Sequence, residues 1–196
     1  MDKKINVAVL VSGGGTNLQA LIDKAQTGEI PCAQIVRVIA SREDAFALER
    51  AAKAGIKGTV AKSQQEVLAE LDDAEADIVV LAGYMKVLSA EIIERYRNRI
   101  INIHPSLIPK YCGKGFYGMR VHTAVIEGGE KESGATVHYV DEGVDTGEII
   151  LQEKVPVMED DTPQDLAARV LNVEHRILAE GLNKAIDKLN KERGCI

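Results

Sequence analysis

Ile5-Asn6-Val7-Ala8-Val9-Leu10-Val11 is a short, β-branched, almost continuously apolar run that stops at Ser12-Gly13-Gly14-Gly15. A strand of that texture is buried on both faces, and sheets buried on both faces are mostly parallel and covered by helices. Behind the glycines, Leu18, Leu21, Ile22 and Ala25 recur at helical spacing, and Thr27-Gly28 supplies a stop. The alternation repeats, with strands expected over residues 35–40, 56–61, 78–81 and 100–103 and helices over 45–54, 65–74 and 90–96. Repeated β-α units predict a Rossmann-like, doubly wound α/β fold, a mostly parallel sheet with helices on both faces. Ligands of such sheets sit outside the carboxyl ends of the strands, so the residues after Val11, Leu81 and Ile103 are expected to line a crevice.

Past residue 110 the texture changes. Gly113-Lys114-Gly115-Phe116-Tyr117-Gly118 precedes a short helical piece and two strand-like runs, 136–140 and 148–157, which predict a mixed end to the sheet. From Thr162, the expected N-cap, with Pro163 at the first helical position, one long amphipathic helix presents Leu166, Val170, Val173, Ile177, Leu178, Leu182 and Leu189 near one face. Its tail, 188–196, is expected to fray. No repeat or linker divides the 196 residues, so one domain over 1–196 is expected.

Composition narrows the function. Lys plus Arg is 24 and Asp plus Glu is 30, a formal charge of −6, which disfavours a nucleic-acid partner because phosphate backbones select for excess cations. No run reaches the roughly 18 apolar residues of a membrane span, and no secretory leader is evident at the N-terminus, so a cytoplasmic location without membrane association is expected. Cys32, Cys112 and Cys195 form no close pair and are expected as reduced thiols. His104, His122, His138 and His175 lack close metal-ligand spacing, so no catalytic metal is expected.

Four places carry candidate chemistry. Ser12 to Asn17 lies between a strand and a helix, where backbone N–H groups hold a phosphate; Leu18 in place of a third glycine argues against a dinucleotide loop, and a ligand-free tight turn is the alternative. Asn102 and His104, two apart at a strand end, point to the same side and suit stabilisation of an oxyanion, against a histidine merely held by backbone before Pro105. Asp141, Glu142 and Asp145 occupy one loop; spacing favours a solvated acidic hairpin, but one carboxylate beside His104 would favour its imidazolium. His138 alternates with apolar neighbours and reads as a satisfied core or edge histidine. Glu174, followed by His175, stands beside the apolar stripe of the long helix and calls for a cation, with an ordinary Lys or Arg favoured over a substrate ammonium.

Taken together, Val11 to Leu18, Leu81-Ala82-Gly83-Tyr84-Met85-Lys86-Val87-Leu88, Asn102-Ile103-His104-Pro105-Ser106-Leu107-Ile108-Pro109, Gly134 to His138, Val144-Asp145-Thr146-Gly147 and Arg169 to His175 resemble the glycinamide ribonucleotide formyltransferases, folate-dependent enzymes of purine biosynthesis, over nearly the whole chain. The resemblance implies that Gly15, Thr16 and Asn17 hold the ribonucleotide phosphate and Glu174 positions its amine. It implies that Met85, Lys86, Val87 and Leu88, with Asn102, Asp141 and Asp145, contact 10-formyltetrahydrofolate, the co-substrate, and that Asn102, His104 and Asp145 are catalytic. Residues 1–104 would then be the ribonucleotide half and 105–196 the folate and catalytic-loop half. The implied mechanism is direct attack of the amine on the formyl carbon, with His104 kept protonated by Asp145.

The chain departs from the family pattern in two places. Lys86 stands where many relatives have Arg, exchanging a planar guanidinium for a point charge. The 113–118 stretch is longer than in some relatives and reads either as a lid or as a surface insertion, and no polar folate contact can be placed around 62–66. The partners expected are small-molecule substrates, with the protein a monomer or homodimer. Formyltetrahydrofolate hydrolase and methionyl-tRNA formyltransferase share the Asn-x-His and Asp chemistry but carry extra domains, for which this chain is expected to leave no room. A non-catalytic nucleotide-binding module would leave the trio unused.

Overall fold

The computed structural model describes residues 4–194. Among these, seven strands form one sheet: β1 (Ile5–Val11), β2 (Ala33–Ala40), β3 (Gly58–Val60), β4 (Ile78–Leu81), β5 (Ile100–His104), β6 (Glu132–Tyr139) and β7 (Ile149–Pro156), in the spatial order β3-β2-β1-β4-β5-β6-β7. The first five are mutually parallel, while β6 runs antiparallel to β5 and β7 antiparallel to β6. The expected doubly wound sheet with a mixed end is therefore what forms. Strand order reverses between β1 and β4, and the crevice beyond their carboxyl ends is where such a sheet receives ligands.

Every residue of β1 is buried, and its period of two sends alternate side chains to two cores. Val7, Val9 and Val11 join α1 (Thr16–Gln26), α2 (Ala47–Lys53), α5 (Met119–Glu127) and α6 (Pro163–Glu192) on one face. Ala8 and Leu10 join α3 (Gln64–Asp73) and α4 (Ala90–Arg95) on the other. No described helix is long and apolar enough to cross a membrane.

Several boundaries move, each for a physical reason. β3 covers only 58–60 of the expected 56–61, since it is an edge strand hydrogen-bonded to β2 alone. β6 begins at Glu132, four residues early, because Ser133 and Gly134 pair with β7; a Cβ on Gly134 would lie 2.0 Å from the Glu153 carbonyl, so close pairing requires glycine. The expected fraying from 188 is overturned as far as Glu192, where Leu189 remains buried and holds the last turns of α6 on the core. The other end of α6 starts as expected, Thr162 forming a capping box with Asp165 behind Pro163. Cys32 and Cys112 are free thiols, and Cys195 lies outside the described residues.

Candidate active site

The loop after β1 is shaped for an anion. Gly15 caps α1 in the left-handed region (φ 71°), where a Cβ would strike Ala47 at 2.6 Å. The carbonyls of Gly13 and Gly14 are drawn away toward α2, accepting from the Ala47 N–H (3.1 Å) and the Arg50 guanidinium (2.8 Å). Helical hydrogen bonding begins only with Gln19 N–H to Gly15 O, so the N–H groups of Thr16, Asn17 and Leu18 precede it at the positive end of the helix dipole.

Beside this loop α6 delivers Glu174, buried at 8% exposure. Asn17 Nδ2 donates to its Oε2 at 2.7 Å, and no Lys or Arg among the described residues pairs with it, so the salt bridge that spacing alone favours, and that the family resemblance argues against, does not form. The cause is register: Glu174 faces inward among Val170, Val173 and Ile177, whereas Arg169 and Arg176 turn outward to Asp161 and Glu153. Burial raises the Glu174 pKa despite the Asn17 bond, and Asn17 Oδ1 is itself buried without a partner. A carboxylate and an amide oxygen, both underused, make a receptor for an N–H-rich cation.

Asn102, His104 and Asp145 converge at the end of β5. Asp145 holds a left-handed backbone (φ 58°), its Oδ2 accepting from Gly113 N–H at 2.9 Å and lying 3.5 Å from His104 Nδ1. Its Oδ1 lies 3.5 Å from Asn102 Nδ2 and from His138 Nε2. The acidic hairpin favoured by spacing is thus only partly solvated: Asp141 and Glu142 stay near the surface, and Asp145 turns inward. Burial opposes the Asp145 charge, but the neighbouring His138 and His104 and the Gly113 N–H together hold the carboxyl below its ordinary value.

His104 is buried and offers Nε2 to the Tyr111 carbonyl at 2.9 Å, which assigns a proton to Nε2 and turns Nδ1 toward Asp145. Burial pushes its pKa below the usual 6.5, outweighing the lift from the Tyr111 carbonyl and Asp145, with His138 adding to the fall. The lift that Asp145 is expected to give His104 is present, but at 3.5 Å it is smaller than the effect of lost hydration. His138 is buried and satisfied as expected, and its neighbours are Asn102 and Asp145. Its Nδ1 lies 2.7 Å from the Tyr139 carbonyl, and its Nε2 lies 3.1 Å from Asn102 Nδ2 and 3.5 Å from Asp145 Oδ1. The antiparallel register that places His138 opposite Asn102 has no local sequence signal.

A cleft of about 280 Å³ opens beside Asn102 and Asp145, walled by Met85, Val87, Leu88, Phe116 and Val144. The 113–118 segment forms part of that wall. Met85 and Val87 are strongly exposed and Leu88 is buried. Lys86 Nζ bonds the Lys62 carbonyl (2.9 Å), and Gln64 ties to both Val87 O and Ser89 N–H, so the 62–64 segment braces the 84–89 loop. Asp141 Oδ1 accepts from Gly143 N–H and the Thr146 hydroxyl, folding the loop that carries Asp145. Ser12, at the head of the glycine loop, accepts from Met85 N–H (2.8 Å) and the Ser41 hydroxyl (2.7 Å), joining that loop to the cleft wall. No group of three His, Cys, Asp or Glu among the described residues is arranged to hold a metal ion.

A doubly wound sheet with an anion loop, a buried ammonium receptor and an Asn-x-His strand end facing an Asp defines an acyl-transfer class of site. The chain belongs to the formyl transferase family, whose model matches residues 5–182. It is 42% identical over 182 residues to the phosphoribosylglycinamide formyltransferase of Escherichia coli (strain K12), covering 88% of this chain and 83% of that protein. It is 44% identical over 184 residues to the trifunctional purine biosynthetic protein adenosine-3 of Drosophila melanogaster, covering 89% of this chain but only 13% of the fly protein. The solved structure of glycinamide ribonucleotide transformylase 1 from Symbiobacterium toebii superposes with a TM-score of 0.86 at 40% identity, over 92% of this chain and 86% of that one.

Proposed function

We propose that the chain transfers the formyl group of 10-formyltetrahydrofolate to the amine of glycinamide ribonucleotide, a step of purine biosynthesis in the cytoplasm. The observation that carries this reading is the placing of the glycine loop, with the Glu174–Asn17 pair, after β1 and of Asn102, His104 and Asp145 at the end of β5, the loop tied through Ser12 to the 84–89 wall of an apolar cleft that Asn102 and Asp145 also line. The phosphate would sit on the N–H groups of Gly15, Thr16 and Asn17. Glu174 and Asn17 Oδ1 would hold the amine, and the folate would occupy the cleft along Met85, Lys86, Val87 and Leu88, with Asp141 shaping its end.

In the reaction the amine nitrogen attacks the formyl carbon, a tetrahedral oxyanion forms, and the bond from that carbon to the folate nitrogen then breaks. Holding both reactants in one crevice supplies much of the acceleration by proximity. Asn102 Nδ2 would donate to the oxyanion. His104 Nδ1, 3.5 Å from Asp145 Oδ2, would be a second donor to the oxyanion after taking up a proton from solvent, which it returns once the folate nitrogen has left. Asp145, ionised at neutral pH, would take the proton that leaves the amine and return it to the departing folate nitrogen.

The test mixes the purified protein with 10-formyltetrahydrofolate, with and without glycinamide ribonucleotide, and follows the absorbance change on loss of the formyl group. Loss only with the ribonucleotide, with formylated product recovered, is expected. Loss without it would replace transfer by hydrolysis, and no loss from folded protein would leave a binding role.

A further inference from the structure

The segment that leaves β5 folds back under the site, and two of its backbone groups two residues apart grip two different side chains. The Tyr111 carbonyl accepts from His104 Nε2, and the Gly113 N–H donates to Asp145. Tyr111 makes this approach in the left-handed region (φ 51°), which a bulky L-residue adopts only where its surroundings impose it. Three groups do so. Its hydroxyl donates to Glu130 Oε1 at 3.2 Å, and Glu130 is itself fixed by Lys110 Nζ at 2.9 Å to both oxygens. Its ring stands edge-on to Phe116, with centroids 6.0 Å apart. Its hydroxyl also abuts Gly128, where a Cβ would lie 2.2 Å from Oη.

We propose that Tyr111 is a positioning residue: its phenol, wedged among Gly128, Glu130 and Phe116, holds its carbonyl on His104 Nε2 and thereby fixes which imidazole nitrogen faces Asp145. The role rests on the reading of His104 as catalytic. It also gives the 113–118 segment a route to the chemistry, since Phe116 touches both the cleft and the Tyr111 ring.

Gly128 offers a remote handle. Its own backbone (φ −73°, ψ −6°) accommodates alanine, so the main obstacle to Gly128→Ala is the Tyr111 hydroxyl. Phenylalanine at 111 removes that obstacle, because the ring carbon Cζ is 3.4 Å away, an ordinary contact. Gly128→Ala is expected to lower kcat about tenfold with KM for both substrates within about twofold, and to move the ¹⁵N shifts of the His104 ring from the Nε2–H tautomer toward a mixture. Tyr111→Phe keeps the wedge and loses only about threefold. The double variant should return to the Tyr111→Phe level. Glu130→Ala, which removes the acceptor without crowding the ring, gives a second route with a loss of about threefold in kcat. Normal turnover in Gly128→Ala, or a double variant as slow as Gly128→Ala, overturns the proposal. Unchanged ring-nitrogen shifts in Gly128→Ala overturn it whether or not His104 is catalytic, whereas full turnover by His104→Ala would break the functional reading instead.

Discussion

The two walls of the crevice are made by different means. On the side after β1, the chain turns at Gly15, the tight place where left-handed backbone costs least, and the anion-binding groups are main-chain N–H groups aimed by a helix. On the side formed by the segments around β5, β6 and β7, the left-handed positions include Tyr111 and Asp145, whose side chains are needed, at a cost of about 1–3 kcal/mol each. The turn of the first wall is dictated locally, by the glycines and the start of α1. The second keeps its shape only through contacts between distant segments, such as Gly113 N–H to Asp145 and His138 to Asn102, and is the wall that remote substitutions can disturb.

The sharpest way to break this contrast is to remove a group from the second wall. His104→Ala or Asp145→Ala should lower kcat by about 10²–10³ while leaving ribonucleotide affinity, read by calorimetry, nearly unchanged. A parallel loss of affinity would mean that the two walls are not separable. Glu174→Gln acts on the first wall and should raise the ribonucleotide Kd by about 10–100-fold with little change for folate, the loss of a charged hydrogen bond.

The same substitution should also stabilise the fold in alkali. The Glu174 pKa is raised above 4.5, so the folded chain holds a proton that the unfolded chain has released, and this residue's contribution falls as pH rises through that window. A higher melting temperature for Glu174→Gln at pH 8 is expected, and a lower one would contradict the uncompensated burial of this carboxylate.

Gly15→Ala should cost about 1–3 kcal/mol, from its positive φ and the 2.6 Å approach to Ala47, whereas Gly14→Ala, with open space around its Cβ position, should stay within about 0.5 kcal/mol in denaturant titration. The smallest effect is acid sensitivity behind the second wall. Burial lowers the His122 pKa to about 4, with His104 adding to the fall, so the unfolded chain binds the extra proton first and stability is lost as pH falls from 6.5 toward 4. His122→Gln should flatten that slope, by about 2–4 °C in melting temperature.

The contrast also separates what was legible from what was not. The apolar run of β1, the glycines behind it and the Thr162 cap of α6 are local patterns, and each appeared where its pattern placed it. Asn102 and His104 were legible as a pair because a strand's period of two puts them on one side. From sequence His138 reads as a satisfied core or edge residue, Ser12 and Gly113 only as members of their glycine-rich segments, and Tyr111 carries no signal. Their roles depend on cross-strand register and on backbone groups in loops without periodicity.

What the sequence determined by itself is the order of β-α units, and hence the crevice at the β1–β4 reversal, because alternating burial and helical spacing are written in runs of adjacent residues. Only the tertiary structure decided that Glu174 meets Asn17 across 157 positions without a cationic neighbour, and that Asp145 turns inward while burial lowers the His104 pKa. Pairings of that kind depend on how distant segments pack together, and the charge states depend on the water those segments exclude.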